Sequence, residues 1–284
     1  MKCIWGLTSL VAVCLLAACS PRTDQQSLTI KGSDTMVQLG QRWAEVYMGA
    51  QPESVIQVTG GGSGTGIAAL INGSTDIAQA SRTMRDAERV QALEQRGAEV
   101  AEVAVALDAL AVYVHTDNPV EALTIDQISG IFRGEVTNWS EVGGADVEIV
   151  LYGRENSSGT YAFFREQVMD DADFAPAYQA LPGTAAVINA VAQDPVGVGY
   201  GGIGYVTGVD TVSIRPEAGD DPIEPTMDNV LTNLYPLSRN LYFYTVGEPA
   251  GMMAEFIDWV LSPAGQEIVN EVGYYPLRPA DANL

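Results

Sequence analysis

The sequence is poor in the residues on which much enzyme chemistry depends. It has one histidine, His115, and three cysteines, Cys3, Cys14 and Cys19, all close to the N-terminus. A lone imidazole excludes zinc sites built from several histidines and leaves little room for Ser-His-Asp chemistry. Lysine occurs only at Lys2 and Lys31, so the lysine of a Gly-x-x-x-x-Gly-Lys-Ser/Thr phosphate loop is missing from every glycine-rich turn. Basic residues number 14 against 36 acidic ones, for a formal charge of -22. A chain this acidic is repelled by nucleic acid and by anionic lipid surfaces, so no nucleic-acid partner is expected. What is abundant is apolar: 47% of the 284 residues are hydrophobic and only 18% charged, enough for one large core or two ordinary ones.

The N-terminal apolar run, Ile4 to Ala18, is too short to span a membrane, which needs roughly 20 residues. After the basic start Met1-Lys2 it has the form of an export signal. It ends in Leu16-Ala17-Ala18-Cys19, which resembles the lipobox of bacterial lipoproteins. That resemblance implies a signal peptide over 1–18, a lipid on Cys19, and a lipidated tether over 19–27. The folded part is then held outside the cytoplasmic membrane, periplasmic or cell-surface, by its lipid anchor. An ordinary signal peptide with an incidental cysteine is the competing reading. Processing takes away Lys2 and no acid, and leaves no thiol for a disulfide, a metal or a nucleophile. The location argues against chemistry that needs ATP or NAD(P)H.

From Leu28 onward, strand and helix signals alternate. Leu28-Thr29-Ile30, Val55 to Val58, Ile77 to Ala80 and Val100 to Val114 read as strands. Thr35 to Tyr47 and Gly66 to Asn72 read as helices between them. The rhythm restarts after Asp117-Asn118-Pro119, with helices at Thr124 to Ile128 and Thr160 to Val168 and a strand at Val147 to Leu151. A strand at Leu241 to Val246 and a helix at Met252 to Leu261 close the chain. This pattern predicts α/β architecture with a largely parallel sheet, in two lobes joined near 110–118 and again near 225–240.

Three strand-to-helix turns share a composition: Ser33-Asp34-Thr35, Ser63-Gly64-Thr65, and Ser158-Gly159-Thr160, the last with Arg154 just before it. The first N–H groups of a helix lack internal acceptors and carry partial positive charge. Glycine admits a ligand to the backbone, hydroxyls add donors, and arginine adds a charged planar fork. Three such turns with an arginine could enclose a small oxyanion. Taken singly, each turn reads first as an ordinary helix cap, and it is the pairing of Ser-Gly-Thr in two lobes that favours the anion. Gly64-x-Gly66-x-x-Ala69 matches the loose dinucleotide fingerprint only weakly, and no Gly-x-Ser-x-Gly elbow surrounds Ser63 or Ser158. His115 and the tyrosines Tyr200, Tyr205, Tyr242 and Tyr244 read as packing residues.

These residues resemble the phosphate-binding proteins of the bacterial high-affinity phosphate ABC transporter. The resemblance is carried by Ile30 through Thr35, Gly60 through Ile67, Asp76-Ile77-Ala78 with Ala80-Ser81-Arg82, Trp139 with Gly143-Gly144, Arg154 through Thr160, and Gly273 through Leu277. It implies a two-lobe, hinge-connected type II periplasmic-binding-protein fold with the ligand in the interlobe cleft. Lobe 1 is expected over 28–112 plus 226–284 and lobe 2 over 113–225. It further implies a monomer, without a cofactor, that hands inorganic phosphate to ABC permease subunits and catalyses no reaction. The implied ligands are Ser33, Thr35 and Ser63 from one lobe and Arg154, Ser158, Gly159 and Thr160 from the other, with Gly64 and Thr65 as neighbours.

The family's aspartate after Ala-Ser is here Arg82. A carboxylate there accepts a proton from phosphate that sulfate does not carry. One reading gives that task to Asp34, with Arg82 adding positive charge and Glu155 and Asp76 as weaker substitutes. The other makes Asp34 a helix cap with Arg82 as its ion-pair partner. Other ligands and roles stay open at this level: sulfate, molybdate or arsenate, a secreted phosphatase using the same pocket, or an adhesion or sensing role.

Overall fold

The computed structural model describes residues 26–278. The signal segment, Cys19 and most of the tether lie outside the described residues. The first lobe opens with β1 (Gln26–Gly32), which takes in the last two residues expected of the tether, followed by α1 (Val37–Ala50) and β2 (Ser54–Thr59). It continues with α2 (Ser63–Ile71), β3 (Ile77–Ala80), α3 (Asp86–Arg96) and the long β4 (Val100–Val114). The second lobe contains β5 (Ala122–Thr124), α4 (Ile125–Arg133), β6 (Val150–Arg154), α5 (Gly159–Gln167) and β7 (Gln179–Leu181). After these come α6 (Thr184–Gln193), β8 (Gly197–Gly202), β9 (Asp210–Arg215) and α7 (Met227–Leu231). The chain then returns to the first lobe with β10 (Ser238–Val246), α8 (Met252–Leu261) and α9 (Pro263–Glu271).

The sheet is mixed rather than largely parallel. β1 pairs in parallel with β2 and β3, and β6 in parallel with β7 and β8, with helices making the crossover connections that parallel pairing needs. The strands that join the lobes are antiparallel: β10 with β3 and β4, and β4 with β8 and β9. The strand β4 belongs to both lobes. Up to Ala109 it pairs with β10; from Leu110 to Val114 it pairs with β8, and Leu110 N–H donates to Leu237 O at 2.8 Å. β4 thus changes its neighbour between Ala109 and Leu110. Val230, Tyr235 and Leu237, between α7 and β10, share one apolar core with Phe132, Phe164 and Tyr200.

Each lobe has its own core, and the sequence shows why. α1 carries Leu39, Trp43 and Tyr47 at four-residue spacing, one apolar face laid on the sheet. Trp43 meets Phe243 edge-on at 5.7 Å, and its indole N–H donates to Gly265 O at 2.8 Å. In the second lobe Phe132 and Phe164 pack around Tyr200, with Phe164 stacked on Tyr200 at 3.9 Å. α4 starts on a reciprocal cap: Thr124 Oγ1 accepts Gln127 N–H, and Gln127 Oε1 accepts Thr124 N–H. Among the described residues, no helix is long and apolar enough to cross a membrane. His115 sits just after β4, where its Nδ1 accepts Asp117 N–H at 3.0 Å.

Candidate functional site

The parallel strands of each lobe point their C-terminal ends at the junction, so the helices that follow start there. This is where α/β folds place ligands. Ser33 precedes a single 3-10 turn, Asp34–Met36, that leads into α1; Ser63 opens α2; Gly159 opens α5 behind its cap Ser158. The three turns meet across the two lobes. Ser33, Thr35, Ser63, Ser158 and Thr160 are all buried, and so is the Arg154 guanidinium.

The contacts are those of a polar cage. Thr35 Oγ1 lies 2.9 Å from Thr160 Oγ1, joining the lobes hydroxyl to hydroxyl. Ser33 Oγ donates to Ser81 Oγ at 3.0 Å, and Ser81 N–H donates to Ser63 Oγ at 3.1 Å. Ser158 Oγ accepts the N–H groups of Thr160 and Tyr161, which leaves its own proton to donate. Gly64 N–H donates to Ser157 O at 2.9 Å, a backbone clasp between the lobes. Only glycine allows this seam. A Cβ on Gly62, whose φ is +92°, would lie 2.5 Å from Ser157 O; one on Gly159 would lie 2.3 Å from Ser63 Oγ.

Arg154 and Asp34 supply the charges. Arg154 Nη2 reaches Asp34 Oδ2 at 2.6 Å and Nη1 reaches Thr184 Oγ1 at 2.8 Å. Arg154 Nε is buried with no hydrogen-bond partner among the described residues, a donor that costs about 1–3 kcal/mol unless an acceptor meets it. Asp34 Oδ1 accepts Gly61 N–H at 2.8 Å. Two tyrosines fix this turn from below: Tyr205 O–H donates to Asp34 O and Tyr274 O–H to Thr35 O, at 2.8 and 2.6 Å. Burial pushes the Tyr205 hydroxyl up to about 12, so it remains a neutral donor near pH 7.

Of the residues singled out in the sequence, Ser33, Asp34, Thr35, Ser63, Arg154, Ser158, Gly159 and Thr160 converge, and Gly64 forms the clasp. Thr65 is half-buried, one position further round α2 beside Gly61. Arg82 lies near Gly64 but turns away. Its guanidinium forks onto Glu88 at 2.7 and 2.8 Å and donates to Thr83 O. The partner of Asp34 is therefore Arg154. Burial pushes the Glu88 carboxyl up, but the hydrogen bonds from Arg82 and Arg85 N–H outweigh it and hold Glu88 below its ordinary value. Asp76 is spent on Thr29 at the far end of β3, and Glu155 is exposed.

Ser81, Thr184 and Tyr205 were not read as site residues. Ser81 follows Ala80 at the end of β3, and Gly183-Thr184 repeats the glycine-hydroxyl start of the other helices. A buried ion pair under the cage also escaped the sequence: Arg239 Nε and Nη2 both donate to Asp108 Oδ2, at 2.9 and 2.8 Å. Burial pushes the Asp108 carboxyl up, only partly offset by Arg239. Each arginine near the cage thus has its own carboxylate: Arg154 with Asp34, Arg82 with Glu88, Arg239 with Asp108.

Comparison with known proteins gives a consistent answer. Residues 18–264 match the model of a PBP superfamily domain. The phosphate-binding protein PstS of Pseudomonas aeruginosa is 39% identical over 269 residues, covering 88% of this chain and 83% of the relative. A Clostridium perfringens substrate-binding protein assigned to phosphate ABC transport, solved with bound phosphate, superposes with a TM-score of 0.80 at 30% identity. The match covers 89% of this chain and all of that one. An ABC-type phosphate transport receptor from Vibrio cholerae gives a TM-score of 0.71 at 31% identity, over 88% of this chain and all of the receptor.

Proposed function

The chain belongs to the PstS phosphate-binding family of the PBP superfamily, and on that premise we propose that its cage is the seat of one inorganic phosphate ion captured for an ABC permease. The observation that carries this reading is the meeting of three helix starts and the buried Arg154 between the lobes. Helix-start N–H groups and hydroxyls supply the many donors that a desolvated tetrahedral anion needs. Arg154 Nε supplies one more, directed from a buried guanidinium.

Charge neutrality of the framework suits this task. With its three arginines each paired, the cage holds the anion by dipoles rather than by a net positive field, in a chain whose formal charge is -22. Asp34 then sorts anions. A carboxylate has about four acceptor positions, and Gly61 and Arg154 use two. The remainder accept the proton of hydrogen phosphate and repel sulfate, which has none to offer.

Lobe closure completes the site, because the Thr35–Thr160 and Gly64–Ser157 contacts exist only when the lobes meet. The role is binding and release, without catalysis. The protein works outside the cytoplasmic membrane as a monomer, tethered by lipid on Cys19. Its closed face is presented to the permease subunits.

The test is Arg154→Met, measured by equilibrium dialysis with labelled phosphate. Loss of the buried charged donor predicts binding at least about a hundredfold weaker. Unchanged retention of phosphate contradicts the assignment of the cage.

A further inference from the structure

The Asp108–Arg239 pair lies beneath the cage on β4 and β10, strands of the first lobe, and is almost wholly excluded from water. An ion pair so placed is costly to desolvate and gives little net stability by itself. Its other contacts show where it is used. Asp108 Oδ1 accepts Ile203 N–H at 3.1 Å, next to Gly202, which is held on β4 opposite Leu110. Arg239 Nη1 donates to Ser81 O at 3.1 Å, and Nη2 donates to Thr160 Oγ1 at 3.0 Å. The guanidinium also lies 5.2 Å from the Phe163 ring. Thr160 and Phe163 are three residues apart on α5, so they share a face of that helix. A first-lobe arginine therefore grips the second lobe's anion-facing helix at two points.

The donors can be followed one by one. Arginine has only donors, so Arg239 occupies a lone pair of Thr160 Oγ1 and can take no proton from it. One of the two hydroxyl protons of Thr35 and Thr160 is used between them. The other finds no acceptor on Arg239 and stays available to the anion. We propose that Arg239 is a positioning residue that, on closure, presents only donors to the Thr35–Thr160 pair, so that one hydroxyl proton of the pair is left for the anion, with Asp108 holding Arg239 in place. This rests on the phosphate reading of the cage.

The test compares two replacements of similar length. Lysine at 239 offers donors only. Glutamine offers a carbonyl that can accept the Thr160 proton and draw it out of the cage. Arg239→Gln is made together with Asp108→Asn so that no buried charge is left unpaired, and phosphate is titrated calorimetrically into each variant, with and without Thr160→Val. Arg239→Lys is expected to bind within about threefold of the parent, and the Gln/Asn pair about ten- to a hundredfold more weakly. In the Thr160→Val background the Gln/Asn pair is expected to add less than about threefold, since the hydroxyl it acts through is gone. Equal losses in both backgrounds, or a lysine variant as weak as the glutamine one, overturn the proposal while leaving the phosphate reading intact. Should the Gln/Asn pair melt early, the lysine variant alone decides: a loss beyond about tenfold overturns the proposal and retention supports it. Failure of the unsubstituted protein to bind phosphate overturns the reading beneath it, and this proposal with it.

Discussion

Gly159→Ala separates lobe closure from folding. Gly159 is the first residue of α5, a helical position where alanine is at least as favourable as glycine, so neither lobe is expected to lose stability. Across the cleft the added methyl would lie 2.3 Å from Ser63 Oγ, 2.7 Å from Ser81 Oγ and 3.0 Å from Ser63 Cβ. Turning Ser63 aside does not solve the clash, because its Oγ accepts Ser81 N–H at 3.1 Å and its Cβ is already too near. Relief requires the lobes to stand off by roughly 0.7 Å or more, since Cβ contacts under 3.0 Å are essentially never seen.

That displacement stretches the Thr35–Thr160 contact, now 2.9 Å, past hydrogen-bonding range. Overpacking and the lost contacts together amount to about 1–3 kcal/mol against the closed state, or phosphate binding roughly 5–150-fold weaker. Calorimetric titration measures the affinity, small-angle scattering the compaction on adding phosphate, and thermal melting of the ligand-free protein serves as control. Affinity within about twofold of the parent, with compaction intact, would mean that closure does not require glycine at 159.

Asp34→Asn is expected to lower the preference for phosphate over sulfate by at least about tenfold, read from paired titrations. Unchanged preference removes Asp34 from the sorting role. Glu88→Gln tests the Arg82 pair through pH. Because the folded-state value of Glu88 is depressed, its stabilisation is present above the ordinary carboxylate range and is lost as pH falls through the folded value. Denaturation curves should show the variant less stable by about 1 kcal/mol near pH 7, with the gap closing as pH falls through the depressed folded-state value of Glu88. Phosphate affinity is expected to change by less than about threefold between about 0.02 and 0.5 M salt, because the cage charges are locally paired. A steep salt dependence points instead to a net positive site.

How much of this was legible follows from how local each signal is. The Ser-Gly-Thr turns were visible because cap, glycine and hydroxyl occupy adjacent positions at a strand-to-helix change, and those turns form the cage. The helix α3 has no apolar period to read, because only Ala92 on it is buried. The apolar run of β4 signalled a strand but could not show that its two halves serve different lobes, or that its neighbours run antiparallel. Asp108 and Arg239 are 131 positions apart in sequence, and no spacing rule links them. Arg82 was placed near the anion by its position after Ser81, but Glu88, six residues on, claims its guanidinium. Tyr205 looked like packing, and its ring does pack, while its hydroxyl steadies the Asp34 turn.

The central claim is that a cage shared by two lobes binds one phosphate ion and rejects its closest isostere. Titration calorimetry on the ligand-stripped protein, with phosphate and then sulfate, tests it most directly. One phosphate per chain is expected, bound tightly, with no heat from sulfate at the same concentrations. Equal binding of both anions, or of neither, contradicts it.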